Sequence, residues 1–181
     1  MLPKFLSLLF ADDTTLLYSH DNLQTLEIIA NREFQKVCEF FRSNKLSIHP
    51  DKTKFMLFTT NNVSGKIQLY CNNNNVTQNN PELISEIEEI KTNSKVPAIK
   101  FLGVHFDTNL NFKYHISTLR NKLSKSLYAL KMAKNIIPKE SLLLLYYALF
   151  HSHLVYACVI WSCADSSSIN TIFKLQKKLL D

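Results

Sequence analysis

Leu8-Leu9-Phe10-Ala11-Asp12-Asp13-Thr14-Thr15-Leu16-Leu17-Tyr18 sets two adjacent aspartates between two runs of strand-forming residues. The pattern predicts a β-hairpin, with Leu6 to Phe10 as one strand, Ala11-Asp12-Asp13 as the turn and Thr14 to Tyr18 as the second strand. Two bare carboxylates at one hairpin tip repel each other at neutral pH, and a divalent cation bound through oxygen offsets that cost. Asp is equally an ordinary turn former. On this segment alone both readings stand, and its surroundings decide between them.

Downstream, residues 21–43 read as a helix. Asp21 is the candidate N-cap, with Gln24 three residues on at capping-box spacing. Leu23, Leu26, Ile29, Phe34, Val37 and Phe41 fall near one face, while Glu27, Arg32, Glu33, Lys36 and Glu39 lie away from it. Asn44 is placed to end the helix in the left-handed conformation. His49 to Thr53 reads as a turn or loop, and Phe55 to Thr59 as a strand. Hairpin, helix and strands in this order give an α+β arrangement, with the helix on one side of a sheet.

Residues 61–98 form a polar insert. Lys66 to Tyr70 alternates like a strand, and the asparagine-rich run from Asn72 to Asn80 reads as an exposed loop. Pro81 to Ile90 reads as a short acidic helix. Strand character returns at Ile99 to Asp107, where Gly103 signals a bulge or a close approach by another group. Asp107 reads as a turn residue.

The remainder reads as helical. Ile116, Leu119, Leu123, Leu127 and Leu130 make an apolar stripe between about 113 and 135. Lys113, Arg120, Lys122, Lys125, Lys131 and Lys134 surround it, with no acidic residue in that span. A helix of this kind suits a phosphate backbone or a membrane surface. Pro138 starts the next helix. Leu142 to Trp161 has no formal charge and is long enough to span a bilayer. Tyr146, Tyr147, His151, Ser152 and His153 dilute it, which favours a buried core helix over a membrane span. Asp165 or Ser166 caps a last helix, with Ile169, Ile172, Phe173, Leu175 and Leu179 as its apolar contacts.

The bulk properties fit this division. The chain has 181 residues, 46% of them hydrophobic, and a net charge of +6. Residues 1–60 carry seven basic and seven acidic groups, whereas residues 100–181 carry eleven and four, a net +7. A neutral first third and a basic last half suit a polyanion contacted through the second part. Cys38, Cys71, Cys158 and Cys163 form no C-x-x-C pair and read as reduced thiols of an intracellular protein, nuclear or cytoplasmic. The histidines show no zinc-ligand spacing, so no zinc is expected, and His151 and His153 read as packed residues. The N-terminal apolar run passes straight into the aspartates and does not match a signal peptide.

Four stretches, in order, together resemble the second half of a reverse transcriptase from a non-LTR (LINE-type, Jockey-like) retrotransposon. Phe10-Ala11-Asp12-Asp13 is similar to that family's aromatic-x-Asp-Asp box. Asn44 to Lys54 resembles the segment after the palm helix, and Phe101-Leu102-Gly103-Val104 the strand beyond it. Tyr146 to Trp161, followed by Leu175-Gln176-Lys177-Lys178, resembles the downstream helical region.

The resemblance implies a partial polymerase palm over 1–107, with the insert at about 61–98, and an all-helical, thumb-like region over 108–181. Its parent activity is RNA-directed DNA synthesis by two-metal nucleotidyl transfer, on an RNA template and DNA primer with dNTP as substrate. Asp12 would bind Mg²⁺ directly, Asp13 would support the same site, and Lys52 resembles a lysine that assists pyrophosphate departure. Phe101, Leu102, Gly103 and Val104 resemble a primer grip. Lys113, Arg120, Lys122, Lys125, Lys131 and Lys134 would contact the nucleic-acid backbone. The family's other catalytic aspartate and its fingers have no counterpart in these residues. The chain is therefore expected to be a fragment with an incomplete Mg²⁺ site, inactive by itself. A non-catalytic nucleic-acid-binding remnant is the alternative, and a single-pass membrane protein through 142–161 a weaker one.

Overall fold

The computed structural model describes residues 5–11, 13–59, 66–72, 84–92 and 94–178. The protein is α+β, and its chain divides into two compact units, Met1–Glu89 and Ile90–Asp181.

In the first unit, β1 (Phe5–Phe10) and β2 (Asp13–Tyr18) form an antiparallel hairpin whose register runs from Phe5 opposite Tyr18 to Phe10 opposite Asp13. Asp13 is thus the first residue of a strand rather than the end of a three-residue turn. Only Ala11 and Asp12 connect the strands, and Ala11 takes a positive φ of 52°. Two-residue hairpin connections use such turns because their twist matches the strands, and a left-handed alanine costs about 1–2 kcal/mol. The period of two sends Leu16 into the core with Phe34, Cys38, Cys71 and Ile87. Leu6, Leu8, Phe10 and Leu17 take the other face and are exposed.

Helix α1 (Leu23–Ser43) starts one residue later than the sequence suggests, because Asn22 and not Asp21 is the cap. The Asn22 Oδ1 accepts the Thr25 amide at 2.9 Å. At the other end Asn44 keeps a φ of −90°, and Lys45 takes the left-handed position at φ 58°. The Lys45 amide donates to the Arg42 carbonyl at 2.9 Å and the Leu46 amide to the Phe41 carbonyl at 2.8 Å, the two bonds of a Schellman motif. The buried positions are Ala30, Phe34 and Cys38, so the packed face is rotated from the stripe of larger apolar residues.

Tertiary contacts cause that rotation. Glu27, Asn31 and Gln35, one turn apart, zip the open edge of the extended segment at 68–70. The Gln68 amide donates to Glu27 Oε1 (2.9 Å) and the Tyr70 amide to Asn31 Oδ1 (3.1 Å). Asn31 Nδ2 donates to the Gln68 carbonyl (2.8 Å), and Gln35 Nε2 to the Tyr70 carbonyl (2.7 Å). On its other edge β4 (Tyr70–Asn72) pairs antiparallel with β5 (Ile84–Glu86). Both edges of a short strand are thereby satisfied, which an exposed edge leaves undone. Replacing Asn31 with Leu strands the Gln68 carbonyl and the Tyr70 amide. We expect a loss of about 1–3 kcal/mol in the first unit and faster hydrogen exchange at the Tyr70 amide. Unchanged protection there would mean that the ladder does not hold the strand.

The acidic segment from Pro81 to Ile90, read as a helix, is instead extended where it is described. Beside β5, β6 (Glu88–Glu89) pairs in parallel with β3 (Lys54–Phe55), the remnant of the strand expected at Phe55–Thr59. Ile87 and Ile90 are buried, a spacing of three that fits a helix as readily as a strand, so the pairing of the backbone and not the side-chain pattern decides the extended conformation.

The second unit starts with a hairpin of β7 (Ile99–Phe101) and β8 (Val104–Phe106). Asp107 is a turn residue, as expected: its Oδ1 accepts the Asn109 and Asn111 amides at 3.1 and 3.0 Å. Helix α2 (Lys113–Ala133) buries the whole expected stripe, Ile116, Leu119, Leu123, Leu127 and Leu130. Val104, Phe112, Phe150, Trp161 and Ile172 complete this core.

Leu142 to Trp161 is not one helix. It comprises α3 (Lys139–Tyr146), which starts after Pro138 as expected, then a π-helical turn (Tyr147–His151), α4 (Ser152–Val155) and α5 (Cys158–Trp161). Ala157, at φ 51°, breaks the chain between α4 and α5, and the Trp161 indole donates to the Tyr156 carbonyl at 3.0 Å. The wider turn and the break bring Phe150 and Trp161 into the core while Leu144 and Val159 stay in solvent. Among the described residues no helix is long and apolar enough to cross a membrane. Asp165 caps α6 (Ser166–Lys177), accepting from the Ser168 amide at 3.1 Å and its hydroxyl at 2.7 Å. The Ser167 hydroxyl, which also donates to this carboxylate, and then the two Ser168 bonds hold its carboxyl at about 2, well below the usual range. Ile169, Ile172 and Leu175 pack as expected, whereas Phe173 is exposed and Leu179 lies outside the described residues.

Candidate functional site

Of the two aspartates, Asp12 lies outside the described residues. Asp13 begins β2 opposite Phe10, and its side chain is exposed. Among the described residues its carboxylate engages no hydrogen bond and no ion pair. One exposed carboxylate is therefore all that the described residues bring to this tip. No group of three His, Cys, Asp or Glu residues gathers among the described residues in a way that could hold a metal. Lys52 lies in the turn after His49, whose carbonyl accepts its amide at 3.1 Å. The Lys52 side chain is exposed, and it enters no ion pair among the described residues.

In the second unit the four grip-like residues form one tight hairpin. Phe101 pairs with Val104, leaving Leu102 and Gly103 as the connection, at φ 44° and 85°. Positive φ at both positions is the signature of a type I′ turn, which explains the glycine without a bulge. Close approach is also present: a Cβ on Gly103 would sit 3.1 Å from Tyr156 Cε1. The Tyr156 hydroxyl donates to the Leu102 carbonyl at 2.5 Å. Val104 is buried in the core, Phe101 meets Phe106 edge-on at 6.3 Å, and Leu102 is exposed.

Lys113, Arg120, Lys122, Lys125, Lys131 and Lys134 are all exposed, and none enters an ion pair among the described residues. At about 100° per residue they do not share one face. Lys113, Arg120 and Lys131 flank the buried stripe on one side, and Lys122 and Lys125 lie toward the other side and the back.

Two histidines without a sequence reading beyond the lack of zinc-ligand spacing, His105 and His115, prove more informative. His115 is 7% exposed, and its Nδ1 accepts the His105 amide at 3.3 Å. The two imidazoles lie 5.9 Å apart, with the Trp161 ring 6.2 Å from His115. Burial, then His105 and Lys122, push the His115 imidazole down to about 4. Burial, with Lys100 and Lys122, also lowers His105. The only sequence signal was that His115 adjoins the apolar stripe. The pairing itself depends on the turn at Asp107 folding β8 back on the first turn of α2. His151 packs on Tyr146 and Tyr147, in line with its sequence reading, whereas His153, also read as packed, is exposed. Comparison of the chain with known protein families, curated proteins and solved structures yields no match.

Proposed function

We propose that this chain is the catalytic-hairpin and thumb-like portion of an RNA-directed DNA polymerase of the non-LTR retrotransposon type. The observation that carries this reading is the aromatic-x-Asp-Asp box at the tip of a two-residue β-hairpin, followed in order by the three other family-like stretches. In this reading the primer 3′-hydroxyl attacks the α-phosphorus of the incoming dNTP and pyrophosphate leaves. Bound Mg²⁺ would lower the charge cost of that in-line transfer. Asp12 and Asp13 would hold the ions, and Lys52 would face the departing pyrophosphate. Phe101, Leu102, Gly103 and Val104 would border the primer. The six cations of α2 and its C-terminal end would contact backbone phosphates of an RNA template and DNA primer inside the cell, in nucleus or cytoplasm.

These 181 residues supply two of the family's three metal-binding carboxylates, so the chain alone should not extend a primer. Fused behind the aspartate-bearing strand and fingers of a related polymerase, it should extend a DNA primer on RNA with Mg²⁺ or Mn²⁺. Asp12→Ala should lower that rate on the order of 100-fold or more. Robust extension by the unfused chain would overturn the expected inactivity. An active fusion indifferent to Asp12→Ala would overturn the assignment. The exposed, unpaired cations favour a second reading, duplex binding without catalysis, whose affinity should fall steeply with salt.

A further inference from the structure

A cavity of about 40 Å³ opens in the second unit against Gly103, walled by His105, His115, Thr118, Lys122, His153 and Tyr156. At about 10–15 Å³ per water it has room for about three waters, which is the scale of a single tetrahedral oxyanion and too small for a base or a sugar. No carboxylate lines it. Lys122 brings a positive charge with no ion pair among the described residues, and it lies close enough to both His105 and His115 to disfavour their protonation. A second cation is therefore unwelcome, although three imidazoles line the walls.

The hydrogen-bond inventory points the same way. Because His115 Nδ1 accepts the His105 amide, the neutral ring carries its proton on Nε2. That donor has no protein acceptor among the described residues, on a side chain more than nine-tenths buried. His105 Nδ1, unlike that donor, is itself fully buried and has no partner among the described residues. The Tyr156 hydroxyl is committed to the Leu102 carbonyl and fixes one wall. Unspent polar nitrogens, one uncompensated ammonium and no acid describe an anion site.

We infer that this cavity binds one phosphate group, presented either by a nucleic-acid backbone or as free inorganic phosphate. The backbone arm rests on the nucleic-acid reading above; the free-phosphate arm does not. Titrating the full chain with inorganic phosphate, followed by the His105 and His115 imidazole NMR signals, tests the site itself. A saturable shift is expected, weakened about tenfold or more in Lys122→Ala and retained in Lys122→Arg. Lys122 is exposed, so both variants should unfold like the parent. Adding an RNA–DNA hybrid oligonucleotide then separates the sources. Displacement of phosphate from the cavity assigns it to a backbone phosphate, and undisturbed phosphate binding assigns it to the free anion. No saturable shift, or a shift unaltered by Lys122→Ala, overturns the inference. Loss of primer extension in the fused enzyme with phosphate binding intact would count against the polymerase reading alone.

Discussion

Phe150→Ala should destabilise the second unit by about 3–5 kcal/mol, the cost of emptying a fully buried aromatic site. Phe150 has no exposed surface. It stacks on Tyr146 with ring centroids 5.8 Å apart and sits in the core with the α2 stripe. Its position depends on the π-helical turn at Tyr147–His151, which inserts the extra residue that aims it inward. Tyr147, in the same turn, is exposed, so Tyr147→Ala should cost less than about 1 kcal/mol. Trp161 is the chain's one tryptophan and is buried in this core, so its fluorescence in urea reports on this unit. A Phe150→Ala loss no larger than that of Tyr147→Ala would show that the turn does not pack as described.

Acid should weaken the same unit through His115, in a window above that of Asp165. Its folded imidazole sits at about 4 against an ordinary 6.5. As pH falls below 6.5 the unfolded chain takes up a proton that the folded chain refuses. Stability is thus complete above 6.5 and declines down to about 4, by about 3 kcal/mol in all at 1.36 kcal/mol per unit. Asp165 acts in a separate window. Its carboxyl is held at about 2 against an ordinary 3.8, so its contribution is present above 3.8 and is lost toward 2. Urea midpoints of Trp161 fluorescence at pH 7, 5 and 4 should fall progressively for the parent chain and stay nearly level in His115→Gln. An imidazole that titrates near 6.5 in the folded chain would remove this prediction. The link to the anion site is direct, since a bound phosphate would raise the same imidazole and blunt the acid loss.

Much of the second unit was legible because its signals are local. The α2 stripe, the start after Pro138 and the Asp165 cap each depend on residues within about one turn, where helical spacing and end-capping act. The hairpin around Asp13 was legible for the same reason, although the turn proved one residue shorter than its polar composition suggested. The acidic segment before Ile90 misled because its charge resembles a helix start, and its strand partners lie far away in sequence. Tyr70 pairs with Glu86, and Lys54 with Glu88. The histidine-lined cavity was not legible at all, since β8, α2 and the α4–α5 break contribute its walls from separate stretches.

The sequence by itself determined the alternation that makes the hairpin at Phe10–Asp13, the amphipathic α2 and the concentration of positive charge after residue 100. These follow from side-chain spacing and from charge, which need no partner. Only the tertiary structure decided which face of α1 is buried, that 84–89 is extended, that Leu142–Trp161 is broken, and that His105, His115 and Lys122 share one cavity. In each case the deciding free energy comes from non-local groups. The backbone at 68–70 needed partners along its open edge, and Phe150 and Trp161 had to reach one core.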